Sequence, residues 1–361
     1  MNDAIVGGAL LPHAPQFITR PDTEDADTID RVERAAARIG TELAALAPDV
    51  WITVSNDHAQ QFFLDCAPPF TLHVGAEASG TFAGRAFRHT VASEISFALV
   101  RELYRSGFDP AFTSTAQVDY ALGIPLAHLN VRAPIVPIFV NAYLPPQPSM
   151  ERCHAFGHAL ALALDRLRVK AVVVASGGMS HFPGTDRYAE PDLGFDQALL
   201  DVLGKGRLKT LIGLTDHELD ASGNIELRCW AVAAGMLGER KPDLVEFNPS
   251  WHHNYASLGF WTPPAVVSDT AHYPSTQPAL VPLTVALHAL ANDAGARATF
   301  GADTHAFCAR FALPEAHAAL LEKRDFPAIV ALGVHPLVPF LARLALERDA
   351  HATGLASAPA R

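Results

Sequence analysis

The sequence predicts an α/β protein, in which a mixed or parallel central sheet is covered by helices and followed by a small all-α domain. Apolar runs without polar alternation carry the first part of this prediction: "AIVGGALL" (4–11), "DVWITVS" (49–55), "APIVPIFV" (133–140) and "KAVVVAS" (170–176). Helical patterns alternate with these runs, at 27–47, 92–106 and 150–167. Such runs are typical of strands that are buried on both faces of a sheet. Ligands bind open α/β sheets at the carboxyl ends of their strands.

A change of composition near residue 262 predicts the second domain. The stretch "WTPPAVVSDTAHYPSTQP" (261–278) contains four prolines and no long apolar period, which is typical of a linker. Beyond it the patterns are helical, and Pro314 and Pro336 stand where a first-turn proline is tolerated. We therefore predict four segments, which are a large site-bearing domain at 1–262, a linker at 263–278, a helical domain at 279–350 and a flexible tail at 351–361.

The composition of the 361 residues argues against several classes of partner. Hydrophobic residues make up 49% and charged residues 18%, as in an ordinary globular protein. The net charge of −11 and the lack of a basic run argue against nucleic acid. The apolar runs are shorter than the roughly 20 residues that span a bilayer, and no basic segment precedes the first of them. The four cysteines form no CxxC pair, so we predict a protein of the reducing cytoplasm.

Four side chains combine a suitable residue type with a position where ligands bind. His13, His58 and His181 each follow a predicted strand, and Glu226 opens the helical stretch that contains "IELRCWAVAAGML". Two imidazoles and one carboxylate form the facial triad of non-haem Fe(II) oxygenases, and the same set can hold Zn²⁺ in a hydrolase. The residues alone leave three alternatives open, namely an iron oxygenase, a zinc hydrolase and unrelated loop histidines.

Several short motifs resemble the class III extradiol ring-cleaving dioxygenases of the protocatechuate 4,5-dioxygenase type. The resemblance covers most of residues 4–260, through "PHAP" (12–15), "NDHA" (56–59), "GGMSH" (177–181), "SGNIELRCW" (222–230) and "NYASLGF" (254–260). The segment 284–348 resembles the small helical α subunit of the same enzymes. Gallate-type members of the family join the two parts in this order. The resemblance therefore implies a catalytic domain fused to a helical domain that covers the substrate pocket, or alternatively forms a dimer contact.

The resemblance also implies a role for each candidate residue. His13, His58 and Glu226 would bind Fe(II), and His181 would act as an acid and base beside the metal. Asn56 would line the substrate side of the iron, and Asn254 would lie near the substrate. The implied reaction is the opening by O₂ of a small aromatic ring with adjacent hydroxyl groups, or with a hydroxyl beside an amino group or a ring nitrogen. We expect a homodimer, the commonest soluble oligomer.

Tyr120, in "VDYALGIPL" (118–126), departs from the protocatechuate enzyme, which has a histidine at this position. A phenol stays neutral to about pH 10, so it can donate a hydrogen bond but cannot become a cation. The resemblance associates a tyrosine here with the branch that cleaves 2-aminophenols. We predict that Tyr120 contacts the substrate; the alternatives are a tyrosine that packs behind the pocket and a non-catalytic binding protein that keeps only the fold.

Other polar residues have less defined roles. Asp57 is expected to orient His58, or simply to form a turn. At most one of His252 and His253 is expected to face the pocket. A substrate carboxylate would need a cation, for which the candidates are Arg20, Arg85 and Arg88, although each also fits ordinary surface charge.

Overall fold

The computed structural model describes residues 4–115, 117–264, 273 and 276–352. The chain divides into two compact units, Met1–Pro264 and Ala265–Arg361. Most of the predicted linker at 263–278 and nearly all of the predicted tail at 351–361 lie outside the described residues.

The described residues of the first unit form ten strands, which are β1 (Ile5–Leu11), β2 (Val50–Ser55), β3 (Phe70–His73), β4 (Glu77–Phe82), β5 (Arg85–Thr90), β6 (Ala111–Thr113), β7 (Ile135–Val140), β8 (Ala171–Ser176), β9 (Leu244–Pro249) and β10 (Asn254–Phe260). Eight of these strands form one mixed sheet, in the order β6-β3-β7-β2-β8-β1-β10-β9. The four predicted apolar runs are the central parallel strands β7, β2, β8 and β1. β10 and β9 continue the sheet in antiparallel pairing, while β4 and β5 form a separate hairpin. The predicted α/β class with a mixed sheet is confirmed.

Helices cover both faces of this sheet because successive side chains of its central strands are buried on opposite sides. The helices of the first unit are α1 (Gln16–Thr19), α2 (Ala26–Ala45), α3 (Ser93–Arg105), α4 (Tyr120–His128), α5 (Met150–Leu167), α6 (Leu193–Leu203), α7 (Asp216–Ser222) and α8 (Leu227–Leu237). Ile52 of β2 packs in a core with residues of α3, α5 and α8, whereas its neighbour Trp51 packs in a second core with residues of α2 and α4. Strands buried on both faces explain why these runs lack polar residues.

The close contact between α5 and α8 fixes the helix that begins next to Glu226. A Cβ atom at Gly157 would lie 1.9 Å from the carbonyl oxygen of Val232, and one at Gly235 would lie 2.0 Å from that of His154. Neither helix could approach so closely with a larger residue at these positions. Trp230 of α8 is fully buried in the same core. The start of α8 is thus held against the edge of the sheet where β1, β2 and β8 end.

The described part of the second unit is helical and has an apolar core of its own. Its helices are α9 (Val281–Asn292), α10 (Ala294–Ala302), α11 (Thr304–Arg310), α12 (Glu315–Glu322), α13 (Phe326–Ala331) and α14 (Leu337–Ala352). Leu283, Leu287, Phe300, Phe307 and Ile329 are buried together in this core. Across the described residues of both units, no helix combines the length and the apolar character that crossing a membrane requires.

Candidate metal centre and active-site cavity

The fold brings His13, His58 and Glu226 together at one edge of the sheet. His13 follows β1, His58 follows β2, and Glu226 directly precedes α8. One ligand atom from each residue lies within 4.8 Å of the other two. The Nε2 atom of His13 is 3.2 Å from Oε1 of Glu226, and that of His58 is 3.6 Å from the same oxygen. The three residues are thus close enough to bind one metal ion.

The hydrogen bonds behind the two imidazoles leave their Nε2 atoms free to bind a metal. Nδ1 of His58 donates to the Asp119 carboxylate at 2.6 Å. Nδ1 of His13 lies 2.8 Å from the Ser176 hydroxyl, which itself donates to the carbonyl oxygen of Ala121 and therefore accepts from His13. With Nδ1 bonded in this way, Nε2 is the nitrogen of each ring that faces Glu226, and a metal that binds there displaces any proton that Nε2 carries. Metal-bound histidines typically have such a partner on the second nitrogen.

The Glu226 carboxylate is fully buried and surrounded by hydrogen-bond donors. Its Oε2 accepts from the backbone N–H of Gly178 at 2.6 Å, and its Oε1 accepts from the Tyr143 hydroxyl at 2.6 Å and the Asn56 amide at 3.2 Å. Burial alone would raise the pKa of Glu226, but the adjacent imidazoles outweigh this effect, so that its pKa lies well below the usual range. The carboxylate is therefore ionised, as a metal ligand must be.

His181 lies next to this group of three ligands. Its Nε2 is 3.9 Å from Oε1 of Glu226, while its Nδ1 donates to the carbonyl oxygen of Met179 at 3.0 Å. Burial lowers the pKa of His181, so its imidazole is neutral at physiological pH. Nε2 is then an unprotonated nitrogen that can accept a proton from a bound molecule.

The prediction that Asp57 orients His58 is wrong, because Asp119 does so. The Asp57 carboxylate accepts hydrogen bonds from the backbone N–H groups of Gln61 and Phe62, at 3.0 to 3.2 Å, and thus forms a turn. Asp119 accepts from both the backbone N–H and Nδ1 of His58. Asp119 also caps α4 by accepting from the backbone N–H of Ala121. Its place directly before Tyr120 was the only sequence signal that could have identified it.

The two asparagines of the predicted site are fully buried and bond to other side chains. Asn56 is fully buried; its amide nitrogen lies 3.3 Å from Nε2 of His58 and also donates to Glu226, so it contacts two of the three candidate ligands. Asn254 is equally buried and donates to the Asp196 carboxylate at 2.8 Å. Neither lines the cavity beside the ligands. Asn56 thus contacts the candidate ligands, and Asn254 contacts Asp196; the predicted places of both residues near the substrate stay predictions.

Two tyrosines line the cavity beside the candidate ligands. The phenol ring of Tyr120 stacks on the His58 imidazole, with 4.4 Å between ring centroids and 20° between planes. Burial, together with the charges of Asp119 and Glu226, raises the pKa of Tyr120 above its usual value, so its hydroxyl stays protonated. Tyr143, which donates to Glu226, was not predicted from the sequence. Both phenols can donate hydrogen bonds at the edge of the centre.

The cavity above these residues has a volume of about 470 Å³. The residues that line it include His13, His58, Tyr120, Tyr143, His181, Gln16, Pro183, Tyr188, His252 and His253. The prediction that at most one of His252 and His253 faces the pocket is therefore wrong. His252 donates through Nε2 to the buried Glu24 carboxylate at 2.6 Å, and its ring stacks on Tyr188.

The three arginines considered for a substrate carboxylate lie elsewhere. Arg20 pairs with Asp30 and Glu33, and Arg88 pairs with Glu77. Arg85 lies against the ring of Phe87. None of the three lines the described cavity, which agrees with their alternative interpretation as surface charge.

The fold and the candidate metal site together define a class of protein: an α/β protein in which two histidines and one glutamate converge beside a cavity. Comparison with known families specifies the class further: residues 7–260 match the family described as the catalytic LigB subunit of aromatic ring-opening dioxygenase. The chain belongs to this family, and it is a ring-cleaving dioxygenase. The predicted resemblance to extradiol dioxygenases is thereby confirmed.

Individual relatives agree with this family. The chain is 30% identical over 251 residues to a 2,3-dihydroxyphenylpropionate/2,3-dihydroxicinnamic acid 1,2-dioxygenase of Klebsiella pneumoniae (strain 342), which covers 69% of this chain and 76% of the relative. A protein of the same name from Klebsiella pneumoniae subsp. pneumoniae is 33% identical over the same shares of both chains. A crystal structure of an uncharacterized protein from Escherichia coli K12 matches 70% of this chain and 99% of its own length, with a TM-score of 0.51 and 13% identity. That last similarity concerns the fold alone.

Proposed function

We propose that this protein is an Fe(II)-dependent extradiol dioxygenase, in which His13, His58 and Glu226 bind the metal. The observation that carries the proposal is the convergence of two imidazole Nε2 atoms and one buried carboxylate within 4.8 Å, beside a cavity of about 470 Å³. Two imidazoles and a carboxylate suit Fe(II) and leave positions for other ligands. When bound, Fe(II) would supply a binding site for two adjacent heteroatoms of the substrate and for O₂, and would relay electrons to O₂ from the ring, which is the reductant in the overall reaction.

The protein side chains would supply the proton transfers. A catechol or an aminophenol loses a proton on binding to a metal. The neutral His181 would accept this proton at Nε2, the ring nitrogen that faces Glu226. His181 would return this proton to an oxygen atom of the product as the ring opens. Its Nδ1 remains bonded to the carbonyl oxygen of Met179, so proton exchange is restricted to Nε2. Tyr120, whose hydroxyl stays protonated, would donate a hydrogen bond to the bound substrate.

The proposed substrate is a small aromatic ring with two adjacent polar groups. The names of the Klebsiella relatives, which specify 2,3-dihydroxyphenyl compounds, support adjacent hydroxyl groups. Tyr120, in place of an imidazole, supports a ring that carries a nitrogen, either as a 2-aminophenol or as a hydroxypyridine. The cytoplasmic location and the homodimer remain predictions from the sequence.

Oxygen consumption by Fe(II)-reconstituted protein tests this function. We expect anaerobically reconstituted protein to consume one O₂ per ring and to form a yellow ring-opened product with at least one of 2,3-dihydroxyphenylpropionate, protocatechuate, gallate, 2-aminophenol and a dihydroxypyridine. The matched control is the same protein loaded with Zn²⁺, which should consume no O₂. Protein that holds one iron per chain yet consumes no O₂ with any of these rings would contradict the proposal.

A further inference from the structure

The imidazole of His253 forms a parallel stack with the imidazole of His181. The ring centroids are 4.1 Å apart, and the planes differ by 1°. The backbones of the two residues are also paired, through an isolated antiparallel bridge. His253 is only 4% exposed, so its ring is fixed by its surroundings. One face of the His181 ring is therefore covered by another aromatic ring.

The Nε2 atom of His253 does not explain why a histidine is buried here. This atom is inaccessible to solvent and has no hydrogen-bond partner among the described residues. A buried polar atom without a partner destabilises the fold. The stacked face of the ring is therefore the contact that His253 makes here.

The glycine pair before His181 leaves room for this ring. A Cβ atom at Gly178 would lie 2.0 Å from Nε2 of His253 and 2.6 Å from its Cε1. The backbone N–H of Gly178 simultaneously donates to Oε2 of Glu226. Gly178 thus lets the His253 ring pass over the backbone, and so accounts for one glycine of the "GGMSH" motif.

Asp196 connects the two chain segments that carry the stacked rings. Its carboxylate accepts from the backbone N–H of Ser180 at 2.9 Å and from the Asn254 amide at 2.8 Å. The backbone N–H of Asn254 also donates to the carbonyl oxygen of Ser180 at 3.1 Å. Ser180 precedes His181 and Asn254 follows His253, so these bonds fix the relative positions of the two residues.

We propose that His253 is a positioning residue for His181, and that it acts through the face of its ring. The stack fixes the plane of the His181 imidazole, while the Nδ1 bond to Met179 fixes which nitrogen points toward Glu226. With both constraints, Nε2 is held at the distance from the metal centre that proton transfer requires. This inference rests on the proposed role of His181 in proton transfer.

Variants of His253 test the proposal through kcat and KM for whichever ring proves to be the substrate. His253→Ala should lower kcat by about tenfold or more with KM nearly unchanged, because misplacement of a catalytic group slows the chemical step. His253→Phe keeps a flat ring without nitrogens, and should restore kcat to within about threefold of wild type. His73→Ala is the matched control, because His73 is a fully buried histidine with an unpartnered Nδ1 that does not line the cavity. The control should lose stability but keep its kcat.

The orientation of the His181 ring in a variant shows directly whether His253 positions it. A crystal structure of the His253→Ala protein should show the His181 ring rotated, with Nε2 farther from Glu226 than the 3.9 Å of the wild type. Should His253→Ala fail to fold, Gly178→Ala would displace the His253 ring through the added Cβ atom, and we expect a displaced His181 ring and a similar fall in kcat.

Three outcomes would overturn the inference. They are an unchanged kcat in His253→Ala, a His253→Phe protein as slow as His253→Ala, and an effect confined to KM. The second outcome would assign the effect to a nitrogen atom, and the third would indicate contact with the substrate. His181→Ala serves as the reference, because it should be inactive while it still binds the metal. Full activity in that variant would refute the proposed proton transfer itself, independently of any result for His253.

Discussion

At the residue scale, the site is determined by which nitrogen atom each histidine directs toward its centre. His13, His58 and His181 all have Nδ1 bonded to the surrounding protein, and all have Nε2 within 4 Å of Oε1 of Glu226. The partners of Nδ1 are a serine hydroxyl, a carboxylate and a backbone carbonyl oxygen. Three different contacts at Nδ1 thus orient the three imidazole rings in the same way, with Nε2 toward Glu226.

Removal of the charge from Asp119 should weaken metal binding. In Asp119→Asn, the Nδ1–H of His58 loses its ionised acceptor, and we expect the affinity for Fe(II) or Co(II) to fall by about 10- to 100-fold, as is common when the partner of a metal-bound histidine is changed. Anaerobic titration calorimetry measures this affinity directly.

Asp57→Asn is the matched control for this prediction. Asp57 lies one position before His58, but it contacts the backbone of Gln61 and Phe62. The metal affinity of this variant should equal that of the wild type. A greater loss in Asp57→Asn than in Asp119→Asn would contradict the assignment of Asp119.

At the element scale, the site depends on loops that connect the central strands to distant helices. α6 provides Asp196, whose carboxylate joins the loop after β8 to the start of β10. α8 is packed against α5 at two glycines, and this contact fixes the position of Glu226. The side chains of the centre are therefore held by elements that are far apart in the sequence.

The buried Asp196 should make the stability of the first unit depend on pH. Burial raises the pKa of Asp196 to about 6, although hydrogen bonds from Asn254, Asn224 and Ser180 oppose this shift. The folded protein therefore binds this proton more tightly than the unfolded chain. The resulting stabilisation is fully present below the ordinary pKa of 3.8, and it is lost as the pH rises through about 6.

Urea unfolding of the wild type and Asp196→Asn at several pH values tests this prediction. Between about pH 7 and pH 4, the free energy of unfolding of the wild type should rise relative to that of the variant by about 2 kcal/mol. Tryptophan fluorescence reports on the first unit alone, since all four tryptophans, Trp51, Trp230, Trp251 and Trp261, belong to it. A constant difference, or a change of opposite sign, would refute the raised pKa.

Strands that are buried on both faces could be predicted from the sequence, whereas exposed strands could not. β1, β2, β7 and β8 were evident because both faces of each strand are apolar. β6 and β9 lie at the edges of the sheet, and β4 and β5 form a hairpin outside it; their polar residues give no comparable signal. Short or exposed strands depend on pairing with distant segments, which a local pattern does not record.

The residues of the site that could be predicted are those that stand in local motifs. His13, His58, His181 and Glu226 could be selected because they stand next to predicted strands or helices in recognisable motifs. Asp119 contacts His58 across 61 positions, Tyr143 contacts Glu226 across 83, and Glu24 contacts His252 across 228. Only the folded topology creates these contacts, so no local spacing could predict them.

At the scale of the whole molecule, the chain consists of a unit that matches the dioxygenase family and a helical unit that lies outside the match. The match to the ring-opening dioxygenase family ends at residue 260, and the second compact unit begins at Ala265. Its apolar core, which contains Leu283 and Phe307, is composed of its own residues. The role of this unit as a cover for the cavity or as a dimer contact stays a prediction.

The metal content of freshly purified protein tests the central claim most directly. Elemental analysis of anaerobically prepared protein should find one iron per chain in the wild type and in His181→Ala, and almost none in His13→Ala, His58→Ala and Glu226→Ala. The two groups of variants should differ because three of these residues are proposed ligands and His181 is not. Retention of a full equivalent of iron by Glu226→Ala, or its loss from His181→Ala, would contradict the proposed centre.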